Sequence, residues 1–278
     1  MRIIVAGATG QIGDFLLPML LDQGHEVIAI SRCAYKDDRI RWLQCDLNNA
    51  EAVQIPEADV LINLAGLTLL PSLSKQIRDA GISRLIAFSS TSIFTKSDSS
   101  DTREQSMIDG LKQAESEMIS MCEQDDIVWT LFRPTLIYSL GRDKNITLID
   151  EEIRRFHLFP LVGSGQGLRQ PVHASDLASA CVQVLASRKA ENHAYNLSGG
   201  EVLSYKDMVK RLFEHRGLPP RLIPVPAVLL RIVIILLRIL PQYRYLSPNM
   251  ADRMGKDMVF SHEQATTDFS YSPRTFQP

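Results

Sequence analysis

"RIIVAGATGQIG", residues 2–13, is the stretch that decides the fold. Arg2–Ala6 has the length and β-branched content of a buried strand. It runs at once into a turn with Gly7, Gly10 and Gly13, and a helical pattern, Gln11–Gln23, starts inside that turn. Gly7 permits a tight turn, Gly10 lets the backbone approach a pyrophosphate, and Gly13 allows the helix to lie close to the sheet. Amides at the helix N-terminus then meet the phosphate charge, with Thr9, Gln11 and Ile12 supplying the rest of the contact. The spacing is Gly-x-x-Gly-x-x-Gly, not the better-known Gly-x-Gly-x-x-Gly. A glycine turn without a ligand is the plainer alternative, and the strand–turn–helix context weighs against it.

Outward from that turn, short apolar runs alternate with amphipathic stretches. "HEVIAIS", "DVLINLAG", "SRLIAFSS" and "IVWTLFRP" read as further buried strands, and Glu104–Glu123 as a helix. Such alternation predicts an α/β fold, a Rossmann-type doubly wound parallel sheet with helices on both faces. After Arg133 the pattern loosens into the turn-rich "YSLGRDKN" and "VGSGQGLRQ". A helix-like "ASDLASACVQVLAS" and a strand-like "HAYNLS" follow. The expected division is a dinucleotide-binding domain at 1–145 and 171–198. A smaller, mostly helical substrate lobe takes 146–170 and 199–278.

The 278 residues are 45% hydrophobic and 22% charged with a net charge of −2, enough for a large core and no argument for nucleic acid. Cys33, Cys45, Cys122 and Cys181 form no CxxC pair, and the six histidines show no metal-ligand spacing. No metal is expected. The opening residues carry no export signal, so a cytoplasmic location is the expectation.

The end of the second strand discriminates between cofactors. An acidic residue there would accept a ribose 2′-hydroxyl. This chain has "AISRCAYK", with Ser31 and Arg32 and no carboxylate before Asp37. A guanidinium pairs bidentately with phosphate, so Arg32 favours NADP over NAD, the alternative being a solvated surface arginine.

The chain resembles the extended and atypical short-chain dehydrogenases/reductases, in particular the NAD-dependent epimerase/dehydratase (sugar-nucleotide epimerase-like) group. The resemblance rests on "GATGQIG", "CDL", "NLAG", "FSSTSIF", "FRPTLIY", "LRQPVHASDLA", "YNLSGG" and "FSYSP", in the family order along the whole chain. It implies that Asp46 and Leu47 flank the adenine and that Ala65 and Gly66 lie along the cofactor. Pro134 and Thr135 would sit near the nicotinamide, and Arg169 would face a substrate diphosphate, with His173 on the substrate side. A fork at Arg169 gripping two phosphate oxygens is physically reasonable; an ion pair with Asp176 is the plain alternative.

In that family a serine or threonine, a tyrosine and a lysine cooperate, the lysine lowering the tyrosine pKa. Anchoring on Ile93–Phe94 gives the hydroxyl role to Ser90, with Thr91 as its neighbour, unless the backbone simply satisfies it. The tyrosine is missing. With Lys112 as the lysine, Ile108 takes its place; with Leu111 there, Met107 does. No tyrosine occurs between Tyr35 and Tyr138. Asp109, Lys112, Glu115 and His173 are the nearby groups that could stand in, none preferred.

The resemblance therefore implies hydride transfer on a small-molecule substrate: a nucleotide- or lipid-linked sugar, or a related carbonyl compound. The competing expectation is a non-catalytic NADP(H)-binding structural or sensing protein, like the accessory NADPH-binding subunit of respiratory complex I. A monomer and a homodimer are both compatible with the sequence.

A last feature stands apart. Between Pro226 and Pro241 twelve of fourteen residues are apolar. As a helix of about 21 Å this falls short of the roughly 30 Å of a bilayer core. Arg231 and Arg238 share a face, and Arg211–Arg244 contains six arginines against one acid, Glu214. Residues 227–240 thus read either as a core helix or dimer contact, or as a peripheral contact with the inner face of a membrane.

Overall fold

In a computed structural model, which describes residues 1–33, 37–96, 101–237, 239 and 253–278, the chain builds a seven-stranded parallel sheet. Its strands are β1 (Arg2–Ala6), β2 (Glu26–Ser31), β3 (Arg41–Gln44), β4 (Val60–Asn63), β5 (Arg84–Phe88), β6 (Val128–Pro134) and β11 (His193–Leu197). They lie in the order β11-β6-β5-β4-β1-β2-β3. Three two-stranded pairs complete the strand set. These are β7 (Ile137–Tyr138) with β10 (Val172–His173), β8 (Phe159–Val162) with β13 (Leu222–Val225), and β9 (Leu168–Arg169) with β12 (Leu203–Ser204). The helices are α1 (Gly13–Asp22), α2 (Ser74–Asp79), α3 (Ser92–Thr95), α4 (Thr102–Gln124), α5 (Ile146–Phe156), α6 (Ala174–Leu185), α7 (Tyr205–His215), α8 (Ala227–Leu237) and α9 (Glu263–Phe269). This is the doubly wound architecture the strand–helix alternation predicts.

Strands β1 and β2 read as continuous apolar runs because both their faces are covered. On one face Leu16 and Leu20 of α1 and Leu177 and Val184 of α6 pack over Ile3 and Val5. On the other, Ile77 of α2 and Met118 and Cys122 of α4 pack over Ile4 and Leu61. Strand order reverses between β1, which continues outward to β2 and β3, and β4, which continues to β5, β6 and β11. A crevice opens there at the carboxyl ends of the strands.

Two elements depart from the sequence reading. Edge strand β3, "RWLQ", has no buried residue and so lacks the apolar run that marks its neighbours. The C-terminal stretch is also divided, although 199–278 reads as wholly part of the smaller lobe. Ala265, Phe269 and Tyr271 pack into the cluster over the sheet, while Phe276 joins Phe159, Met208 and Phe213 in the lobe's own core. The aromatic side chains of "FSYSP" direct this return, because Phe269 and Tyr271 find Tyr195 and His262 as edge-on neighbours.

Helix α4 starts where Asp101 accepts the Arg103 amide, and Glu104, Ile108, Glu115 and Met118 lie on its inward stripe. Glu115 takes Arg133 of β6 bidentately, with contacts of 2.6 and 3.0 Å, and the guanidinium lies 5.6 Å from the Phe94 ring. Replacing Glu115 by Ala should leave that guanidinium without its counter-charge and cost about 3 kcal/mol. Lys112→Ala on the exposed side of the same helix should change stability by less than about 0.5 kcal/mol. Urea unfolding midpoints of the two variants check the difference.

Candidate functional site

At the β1–α1 turn two backbones come together as closely as they can. Gly7 has φ +74° and its amide donates to the Ile30 carbonyl at 2.9 Å. A Cβ on Gly7 would lie 2.7 Å from the Ala65 nitrogen, and one on Gly13 would lie 1.9 Å from the Ala8 carbonyl oxygen. The turn therefore presses against the Leu64–Ala65 backbone just beyond β4. Gln11 points from it with its Oε1 buried and without a partner. A glycine cradle with an orphaned acceptor beside it fits a dinucleotide: Gly7–Gly13 for the pyrophosphate, Ala65 and Gly66 along the ribose side.

At the adenine end, Leu47 is buried against the core and Asp46 is exposed, its carboxyl held below the usual range by the Asn48 amides. Arg32 lies exposed at the end of β2, near enough to contribute to that effect, and its carbonyl accepts from Gln44.

A cavity of about 750 Å³ opens between the carboxyl ends of β5 and β6 and the smaller lobe, and Gln11, Ser90, Thr91, Ser92 and Thr135 line its sheet side. Ser90 Oγ donates to Ser92 Oγ at 2.9 Å and accepts the Ser92 amide at 3.1 Å. Thr91 Oγ1 is buried and donates to the Pro134 carbonyl at 3.1 Å, and Thr135 Oγ1 donates to the Gln170 carbonyl at 2.5 Å. Of the two hydroxyl candidates, Ser90 is the less committed to the main chain. Ser89 Oγ, next to it, is buried with no partner.

Arg169 is placed otherwise than expected. Its Nη1 donates to the carbonyls of Leu168 (2.8 Å) and Lys256 (2.7 Å), its Nη2 donates to that of Arg253 (2.5 Å), and its guanidinium lies 5.3 Å from the Tyr205 ring. It borders the cavity, but its donors hold the 253–256 main chain rather than face outward as a phosphate fork. The alternative partner, Asp176, is taken by Arg274, which reaches it from Nε at 2.8 Å. His173 is likewise structural. Its Nδ1 accepts the Ser175 amide and caps α6, and its ring stands edge-on to Phe15 and Tyr138. Burial, followed by the Arg274 charge, holds its pKa below the ordinary value, against Asp176.

The candidates for the missing acid also sort themselves. Of the two residues that can take its place, Ile108 is buried in the core and Met107 is exposed and borders the cavity; Asp109 and Lys112 are exposed, and Glu115 grips Arg133. Three residues the sequence reading passes over face the cavity instead: Lys96, Glu104 and Arg253. Glu104 accepts from Arg253 Nη1 at 2.8 and 2.9 Å, and Lys96 Nζ is 3.5 Å from its Oε1. Burial lowers the Lys96 pKa, and Arg253 adds to this, while Glu104 opposes both. The signal for this cluster was present: Glu104 stands four residues before Ile108, a carboxylate on the apolar stripe of α4, where a charge is paired or functional. Among the described residues no group of His, Cys, Asp or Glu converges as a metal site would.

The turn, sheet order and crevice define a nucleotide-binding Rossmann protein of the doubly wound class. A family model described as NAD(P)H-binding matches residues 7–188, well over half of the chain, and the chain belongs to that family. It is similar to the UDP-glucose 4-epimerase of Vibrio cholerae, with 22% identity over 81% of this chain and 78% of the epimerase. A chloroplast stem-loop binding protein of Arabidopsis thaliana is 24% identical over 78% of this chain and 64% of that protein. Subunit 9 of the NADH dehydrogenase 1 alpha subcomplex of Dictyostelium discoideum is 22% identical over 76% of this chain and 62% of its own length. Among solved structures, MoeE5 in complex with UDP-glucose and NAD superposes with a TM-score of 0.74 at 19% identity, covering 99% of this chain and 94% of that one. The solved epimerase and dehydratase neighbours thus share the fold.

Two outcomes follow from this geometry. Gly13→Ala must push α1 off the sheet, so it should abolish NADH and NADPH binding measured by fluorescence titration and lower the thermal midpoint. His173 binds its proton less readily folded than unfolded, since its pKa is depressed from 6.5. Its contribution is therefore complete above that range and is lost as pH falls through it. Thermal midpoints should drop from neutral pH toward pH of about 5, and His173→Asn, which keeps a capping side chain, should flatten part of that slope.

Proposed function

We propose that the protein is an NAD(P)-dependent oxidoreductase of the epimerase/dehydratase kind, acting on a carbonyl or hydroxyl carbon of a nucleotide- or lipid-linked sugar or a related compound. The carrying observation is that Gln11, from the cofactor turn, and Ser90, from the end of β5, line one cavity. A dinucleotide in the crevice would end at the wall where a substrate would lie. Once bound, the nicotinamide supplies or accepts the hydride.

The chain's own residues then have the remaining work. Ser90, oriented by Ser92, would hold the substrate oxygen by a hydrogen bond. Lys96 would handle the proton that the family gives to tyrosine. A half-buried ammonium whose proton is loosened by burial, with a carboxylate beside it, is suited to proton transfer. With two cations, Arg253 and Lys96, against the one carboxylate of Glu104, the cluster carries a surplus of positive groups, which would favour an anionic substrate such as a sugar diphosphate.

NADP is the cofactor we favour, because Arg32 stands exposed at the end of β2 where a 2′-phosphate would lie. Arg32→Glu should shift the NADPH/NADH affinity ratio toward NADH by about tenfold or more, the size of one charge-assisted contact.

The competing reading, a non-catalytic NADP(H)-binding protein, draws on the apolar residue, Ile108 or Met107, at the tyrosine position and on Arg169 being occupied by carbonyls. Nicotinamide absorbance in the purified protein, challenged with UDP-glucose, UDP-glucuronic acid and simple aldehydes, separates the two. Turnover lowered about a hundredfold by Lys96→Met and by Ser90→Ala, with cofactor affinity retained, supports the enzyme. In the reductive direction Lys96→Met should also remove the alkaline fall of the pH profile, where the ammonium is lost. Tightly held cofactor that none of these compounds alters would sink the enzyme reading.

A further inference from the structure

Helix α8 docks on the smaller lobe by a narrow stripe. Leu230 packs against that lobe's core and Ile234 is buried. At about 100° per residue the opposite side carries Val228, Leu229, Ile232, Val233, Ile235 and Leu236. All six are exposed, from 41% at Val233 to 64% at Val228, and Ile239 beyond the helix is 74% exposed. Ile223, Pro224 and Pro226 extend this surface from β13. A contiguous apolar face of this size on a water-soluble fold marks an interaction surface.

The charge around it selects the occupant. From His215 to Ala251 the chain has five arginines and no Asp or Glu. Arg216 is tied to Asp150. Arg221 is exposed, and Arg231, also solvent-facing, stands at the border of the apolar face. A second copy meeting this face would bring together two copies of a stretch that carries arginines and no acid, where like charges repel. Lipid phosphates complement the same border, with the guanidinium reaching up while its stem stays among apolar groups.

Eleven residues give a helix of about 16 Å, and no helix among the described residues is long and apolar enough to cross a membrane. We propose that α8 lies in the plane of an anionic lipid surface, its exposed face sunk among the acyl chains and its arginines at the headgroups. The inference stands apart from the reaction proposed above. It does set the cavity close to that surface, because Phe159, Met208 and Met254 both line the cavity and belong to the core on which Leu230 packs.

Density-gradient flotation of the full chain tests it, with vesicles of phosphatidylcholine alone and of phosphatidylcholine mixed with phosphatidylglycerol. The protein should float with the mixed vesicles, lose that association in high salt, and stay at the bottom with phosphatidylcholine alone. Ile232→Glu combined with Leu236→Glu should stay at the bottom with both, while keeping the thermal midpoint and cofactor affinity of the parent. Arg221→Gln with Arg231→Gln should weaken flotation without altering the fold. Failure of the parent to float, or equal flotation with both vesicles, overturns the proposal. A parent dimer that the Ile232/Leu236 variant dissolves would give the face to a second copy and overturn it equally.

Discussion

The close contact of backbones at Gly7 and Gly13 is the constraint from which the rest of the molecule follows. A single methyl group at Gly13 would overlap the Ala8 carbonyl, and one at Gly7 would collide with the Ala65 nitrogen. The packing of α1 on the sheet, the width of the crevice and the position of Gln11 are all set by that absence of side chains. The order of the sheet supports it: β1 is central, flanked by β2 and β4, so the turn is held from both sides rather than at an edge.

Across the crevice the smaller lobe is fastened by charge as well as by apolar packing. Arg169 gathers three main-chain carbonyls, and Arg253 closes on Glu104. Guanidinium groups suit such places because they are weakly hydrated and present several donors in a fixed plane. Arg142 makes a further tie at the rim, reaching Asp14 at 2.7 Å and the Thr9 carbonyl at 2.9 Å. It joins the loop before α5 to the cofactor turn. Exposed pairs of that kind contribute little to stability, about 0.5 kcal/mol, so the tie serves position more than strength.

The sheet could be read from the sequence because its signals are local. Buried parallel strands are apolar throughout, and the glycines lie in a fixed frame between the first strand and the first helix. Strand β3 escaped because an edge strand with solvent on one side needs no apolar run. The glycine turn was legible for the same reason as the sheet: main-chain geometry rather than side-chain partnership defines it. The cavity was not. Lys96, Glu104 and Arg253 meet from the end of α3, from α4 and from the C-terminal segment, and only Glu104, a carboxylate on the apolar stripe of α4, hints at a partner; neither cation shows where it goes. Arg169 shows the opposite problem. Its residue type suggested an anion, but five donors satisfy carbonyl groups equally well when a chain segment is near.

The parts of the molecule also differ in when they become available. The turn at residues 7–13 and its neighbour at Ala65 leave the ribosome early, and the last strand of the sheet, β11, ends at Leu197. Arg253, Met254, Met258 and Phe260, which close the cavity, come after α8, close to the end of the chain. During synthesis the crevice where the strand order reverses can therefore exist while the cavity beside it still lacks a wall.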